Sequence, residues 1–337
     1  DHLFVAGWLN EKLELGGGLP PLGPPVGHRP VGFAAELDPA TGLGKWVRRF
    51  ESEGDTYPTV LVPSGGSVFV AGTSIGTSLD YGAGEVLAIG KNTGFLFELD
   101  GVTGSVLAPS VLGTPHVYPL AGAPAQDGGL VLVGYAGAAF PLAGVDPLLG
   151  PADGFVLGTK PASPSIKAPL ASEGTDRLTG VVTRSDGSVL VTGWTDDALA
   201  LGGVVTASAG GRDAVLAHVG GCCAFDAGRM FGGSADQEGA ALAVDEADRV
   251  YLGIANIAGG VDVFGTGVGG RGALAAVEPD GSPRWVRPLD AWIRSIAARG
   301  SRVVVVGTFD GTFQPDPDHT LVATAQSFDG FVVGYAP

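Results

Sequence analysis

The chain has 337 residues, 45% of them hydrophobic and only 16% charged, with 58 Gly and 24 Pro. Acidic residues outnumber basic ones 35 to 19, and the net charge of −16 repels phosphate backbones and anionic lipid, which argues against nucleic acid as a partner. A chain this long can bury a core without staples, and Gly or Pro interrupts nearly every helix-length segment, so many short strands joined by tight turns are expected.

Taken in order, the elements repeat. A strand rich in β-branched residues and ending in Gly, here strand b, reads LFVAG (3–7), VFVAG (68–72), LVLVG (130–134), VLVTG (189–193), VYLGI (250–254) and VVVVG (303–307). About twenty residues later comes strand c: GFAAELD (32–38), GFLFELD (94–100), GFVLGTK (154–160), DAVLAHV (213–219), GALAAVE (272–278) and GFVVGYA (330–336). The first residues of these copies are 62, 60, 59, 59 and 58 apart, so one unit is used six times. The b-to-c loops are too long to be structureless connectors and are expected to carry some edge structure; LELGG (13–17), LALGG (199–203) and VDVFG (261–265) set apolar residues ahead of Gly.

After c comes a turn and strand d: KWVRRF (45–50), SVLAPS (105–110), SIKAPL (165–170), GRMFGG (228–233) and RWVRPL (284–289). Strand a follows: TVLV (59–62), YPLA (118–121), GVVT (180–183), ALAV (241–244) and SIAA (295–298). Hairpin turns such as SGGS (64–67) and SDGS (185–188) join a to the next b. DAWIRSIAARG (290–300) has the apolar spacing and end residues of a helix, but the repeat places strand a there and the register is followed. Four antiparallel strands repeated radially make a β-propeller, all-β, of six blades. There are six b and c strands but five of a and d, so the closing blade is expected to be incomplete; the alternatives are an imperfectly closed ring or part of a seven-bladed parent. The whole chain is expected to be one domain.

Asp1 is not preceded by Met, and no leader pattern is visible, so any signal peptide is expected to have been removed or excluded. The longest uncharged run, 128–145, has the length of a membrane span. It carries Gly134, Gly137, Pro141 and Gly144 and falls on a strand and loop, so no membrane insertion is expected. Cys222 and Cys223, the two cysteines, are adjacent. They fit a vicinal disulfide or two free thiols in a turn, and offer neither a disulfide framework nor zinc spacing.

RMFGGSADQEGAALAVDEADRVYLG (229–253) and GGVVTASAGGRDAVLAHV (202–219) resemble the SBBP-type β-propeller repeats of large bacterial secreted and surface proteins, notably of myxobacteria. The resemblance spans essentially the whole chain, is strongest from 170 to 290 and weakest in 106–120. It implies a propeller and an exported location, and no shared catalytic residues. ELDPATGLGKW (36–46) and ELDGVTGSVL (98–107) also resemble a turn of quinoprotein dehydrogenase blades, enzymes that hold a vicinal disulfide beside a quinone. Against a quinone stand a chain too short for eight blades, strand-d Trp only at Trp46 and Trp285, and cysteines placed in a c-to-d turn.

Propeller topology puts the b-to-c and d-to-a connections at one end of the blades, where Trp8, Tyr81, Phe140 and Trp194 fall as candidate ligand-binding residues. The d-to-a loops bring Asp55, Asp176, Asp236 and Asp290 to similar positions before successive inner strands. Such carboxylates suit calcium if they converge, or else cap their own turns. QPDPDHT (314–320) gathers Asp316, Asp318 and His319 but lacks the Gly and the final Glu of a calcium loop. No cofactor is required by any motif, and no nucleophile elbow or phosphate loop stands out. The leading expectation is a non-enzymatic module binding a protein or glycan through its long loops; the alternatives are a cation-dependent lyase or hydrolase, a quinoprotein-like enzyme, and a structural spacer.

Overall fold

Runs such as VFVAG and VVVVG fold as strands because β-branched side chains pack well on a pleated surface, and every regular element among the described residues is a β-strand. The computed structural model describes residues 2–23, 29–82, 86–113, 115–137, 150–160, 163–170, 172–220, 224–256, 260–324 and 327–336. Two compact units divide the chain, 1–148 with 155–167 and 149–154 with 168–337.

In the first unit, blade 1 has three strands, b (Leu3–Leu9), c (Val31–Leu37) and d (Gly44–Phe50). Blade 2 has four, a (Thr56–Ser64), b (Ser67–Ser74), c (Thr93–Asp100) and d (Val106–Gly113). Blade 3, whose c and d ends belong to the second unit, runs a (Val117–Pro124), b (Leu130–Gly137), c (Ala152–Lys160) and d (Ser163–Leu170). In the second unit, blade 4 is a (Asp176–Thr183), b (Val189–Thr195), c (Asp213–Gly220) and d (Ala224–Phe231). Blade 5 is a (Gln237–Val244), b (Val250–Asn256), c (Gly272–Val277) and d (Pro283–Leu289). Blade 6 has a (Trp292–Arg299), b (Arg302–Phe309) and c (Asp329–Tyr335). Among the described residues the first blade shows no strand a and the last no strand d, as the count of repeats leads one to expect.

Strand register corrects the repeat alignment at two places. The Gly of strand b faces Phe33, Phe95, Val215, Leu274 and Phe331, so Ala214 and Ala273 stand where Gly32, Gly94 and Gly330 stand, one residue later than the sequence pattern placed them. That Gly has a steric cause. Strand a carries a bulge opposite it, and a Cβ on Gly72, Gly134, Gly193 or Gly307 would fall 1.8 to 2.2 Å from a strand-a carbonyl oxygen. The same bulge explains the helical look of DAWIRSIAARG. Its extra residue at Arg294 lets Ile293 and Ile296, three apart, both point inward from a strand.

Within each unit, adjacent blades share their cores. Leu252, Ile254, Ala273 and Ala275 of blade 5 pack on Val182, Leu190 and Ala214 of blade 4, while Tyr251, Leu274 and Ala276 pack on Ile293, Val303 and Phe331 of blade 6. Strand c is accordingly apolar on both parities. In blade 6 only one face is covered within its unit, and Val332 is 72% exposed. Side chains stitch neighbouring blades as well: Thr59, at the bulge of blade 2, donates to Pro119 O at 2.7 Å, and Thr179, at the bulge of blade 4, donates to Gly239 O, each sixty residues on.

The long b-to-c loops hold two-stranded ribbons: Ser78–Asp80 with Val86–Ala88, Leu199–Leu201 with Val204–Thr206, Val261–Val263 with Thr266–Val268, and Thr312–Asp316 with His319–Val322. Their first strands anchor through Leu79, Leu199, Leu201, Val261, Val263 and Phe313, all buried. The ribbons turn back along strand d. Gly202, at one tip, donates its N–H to Phe225 O at the far end of that strand, and Gly44 donates to Leu15 O in blade 1.

Candidate functional site

At the end where the ribbons depart, the sheets of blades 2 and 4 finish in a transverse row of one residue from a, b and c. In blade 2 the row is Thr56, Ser74 and Thr93; in blade 4 it is Asp176, Thr195 and Asp213; all six are buried. The strand-c member closes its own loop by accepting a backbone N–H: Gly90 to Thr93 at 2.9 Å, Gly150 to Asp153 at 3.3 Å, Ala209 to Asp213 at 2.7 Å and Thr324 to Asp329 at 2.9 Å. These capping residues were missed in the sequence, although TGF, DGF, DAV and DGF at strand-c openings carry the signal.

The four d-to-a acids do not share one register. Asp55, Asp236 and Asp290 sit one residue ahead of the row, whereas Asp176 is in it. Asp55 accepts the Tyr57 hydroxyl at 2.7 Å, which raises the phenol's pKa, and Arg29 lies 3.7 Å away. Asp236 accepts the Arg212 N–H at 3.0 Å, and exposed Asp290 lies 3.6 Å from Arg271. Asp176 accepts the Ser172 N–H at 2.7 Å through Oδ2, and the whole residue is buried. Burial foremost, with the nearby charge of Asp153, pushes its pKa up to about 6 against the Ser172 and Thr195 hydrogen bonds. Among the described residues no group of three or more His, Cys, Asp or Glu is arranged to hold a metal ion. In the C-terminal ribbon Asp316 accepts the N–H groups of Asp318 and His319 at 2.9 and 3.0 Å, the geometry of a capped turn.

Of the aromatic candidates, Trp8 is 49% exposed and meets Tyr57 edge to face at 5.3 Å. Trp194 is buried, its ring covered by Arg212 at 4.4 Å and Arg177 at 5.2 Å. Tyr81 is buried against Phe97 at 5.2 Å. Neither offers a free ring face. Phe140, Cys222 and Cys223 lie outside the described residues. The quinoprotein-like turns are explained by local bonding: Asp38 accepts the N–H groups of Ala40 and Thr41 and the Thr41 hydroxyl, and Asp100 does the same for Val102 and Thr103.

A depression of about 150 Å³ in the first unit is lined by Tyr57, Tyr118, Pro119 and Asn92; Trp8 is outside this lining and meets it through the Tyr57 ring. Tyr118 stacks on Tyr135 at 4.7 Å, and Asn92 Nδ2 lies 3.2 Å from His116 Nδ1. Asn92 and His116 both take left-handed backbone conformations, with φ of 54° and 64°. Such conformations cost energy in side-chain-bearing residues and gather at binding sites.

Six repeated antiparallel sheets of this topology define a six-bladed β-propeller fold. No protein-family model and no curated protein matches the chain. Among solved structures it is similar to hydrazine synthase of Kuenenia stuttgartiensis (13% identity, TM-score 0.47, covering 82% of this chain and 62% of that one). It is also similar to a protein of unknown function from Dyadobacter fermentans (12%, 0.45, 91% of each chain) and to the Dos1 propeller (10%, 0.40, 77% and 68%). These likenesses concern the fold alone.

Proposed function

We propose that the chain is a non-enzymatic interaction module of an exported or cell-surface bacterial protein of the SBBP repeat type, binding a glycan or protein partner at the ribbon-departing end of its blades. The supporting observation is the depression lined by Tyr57, Tyr118 and Asn92, with exposed Trp8 set against the Tyr57 ring. An exposed indole, two tyrosine rings and an amide on strained backbone are the groups that stack on sugar C–H faces and bond their hydroxyls, and this favours a glycan. Asp55 serves as a positioning residue that fixes the Tyr57 ring through its hydroxyl.

The test is a glycan array followed by fluorescence titration of the best hit. Trp8→Ala is expected to weaken binding at least about tenfold, the loss of one stacking anchor, with unchanged circular dichroism. Binding indifferent to Trp8→Ala and Tyr118→Ala would overturn the site. A calcium role for Asp55, Asp176, Asp236 and Asp290 makes a different forecast: calcium would raise the melting temperature, and substitution of these acids would remove the rise.

A further inference from the structure

A second cleft, of about 420 Å³, opens in the second unit at the opposite end of the strands, between blades 4 and 5. Its floor is aliphatic, formed by Leu190, Leu216, Val250 and Val277. Phe264, at the tip of the blade 5 ribbon, forms one wall, and Arg184, Arg229 and His218 also line it. In a chain with 19 Lys and Arg against 35 acids, two arginines on one cleft are a local concentration of positive charge.

The acids around the cleft are held by hydrogen bonds of their own, whereas among the described residues neither arginine forms an ion pair. Asp226 lies 2.5 Å from His218 Nδ1, and Asp280 accepts the N–H and hydroxyl of Ser282 at 2.9 and 2.6 Å. Asp186 and Asp248, which feel the Arg184 charge, are held by Ser188 and Ser185. Among the described residues no carboxylate bonds to Arg184 or Arg229, and Arg184 Nε is buried with no hydrogen-bond partner. A buried N–H of a permanent cation left in this state calls for an acceptor.

The ribbon tip points the same way. The blade 4 ribbon turns on Gly202 and Gly203, with φ of 60° and 77°; the blade 5 ribbon turns on Phe264 and Gly265, with φ of 52° and 81°. A phenyl side chain occupies a left-handed position that its neighbour fills with Gly, at a cost of about 1 kcal/mol. It meets Phe231 at 4.9 Å and carries the Arg229 guanidinium over its face at 5.3 Å.

We propose that this cleft binds a small amphipathic anion, its apolar or aromatic body against Phe264 and the aliphatic floor and its carboxylate or phosphate head against Arg184 and Arg229. The volume is that of a small-molecule site. The experiment is calorimetric titration of the whole chain with phenyl phosphate and benzoate, the two head groups in question, with inorganic phosphate and benzyl alcohol as head and body alone. Saturable one-to-one binding of at least one complete anion is expected, with each part binding at least about tenfold more weakly. Arg184→Gln with Arg229→Gln should reduce affinity at least about tenfold, and Arg302→Gln, on blade 6, should not.

Phe264→Gly gives the turn the residue that blade 4 already uses, so it keeps the fold while removing the ring, and should weaken binding severalfold. In the unmodified protein, the ring resonances of His218 should shift on titration. Unshifted His218 signals, the absence of saturation by about 10 mM, or affinities equal for inorganic and phenyl phosphate and insensitive to both arginines would each overturn the proposal.

Discussion

Asp38 and Asp100 accept two backbone N–H groups and a threonine hydroxyl, chiefly those of Thr41 and Thr103, and these bonds hold their pKa values below the ordinary range. Their contribution is present above the unfolded pKa and is lost as pH falls through the folded one. Asp176 has the opposite sign. With a folded pKa near 6 against an ordinary value of 3.8, its contribution is full below about pH 4 and is lost as pH rises through about 6, leaving a buried carboxylate that costs up to about 3 kcal/mol. Asp176→Asn should therefore raise the urea midpoint at pH 8 and leave it nearly unchanged at pH 4. An equal shift at both pH values would show that Asp176 does not titrate in this range.

The ribbons show what sequence conveys about an element and what it withholds. LALGG and VDVFG announce an apolar pair and a turn, and the existence of edge structure in the loops follows. Their return along strand d does not, because it rests on bonds such as Gly202 to Phe225, between residues no local pattern connects. The meander was legible because Gly and β-branched residues recur every sixty positions for a steric reason, the bulge of strand a. Trp194 looked available for the converse reason: the arginines covering it come from strand a and from the loop just ahead of strand c. The cleft was hidden in the same way, since its lining spans residues 184 to 281, and the single local sign was Phe264 where a Gly pair stands in blade 4. If the ribbons are structural cover, their two strands should differ in cost. Leu201→Ala, at a residue 5% exposed, should lose about 2 to 3 kcal/mol in urea denaturation, whereas Val205→Thr, at a residue 70% exposed, should stay within about 0.5. Equal effects would mean the buried strand is not anchored.

For the whole molecule, the question physics leaves sharpest is how far cooperativity extends. Within each unit, blades contact their sequence neighbours through shared apolar clusters, and Thr59 and Thr179 bond across to the next blade, so stability there is a sum of blade terms and nearest-neighbour terms. When the neighbour terms dominate, unfolding one blade strips a face from the next, and the chain melts together. The chain also divides into two compact units, each with this kind of internal stitching. If all six blades behave as one domain, calorimetry of the whole chain should show a single endotherm, and Thr179→Val, which removes one interblade hydrogen bond worth about 1 kcal/mol, should move all of it. Thr59→Val should do the same from the first unit. Two endotherms, with each substitution moving only one, would assign the units independent stabilities and refute the single-domain reading.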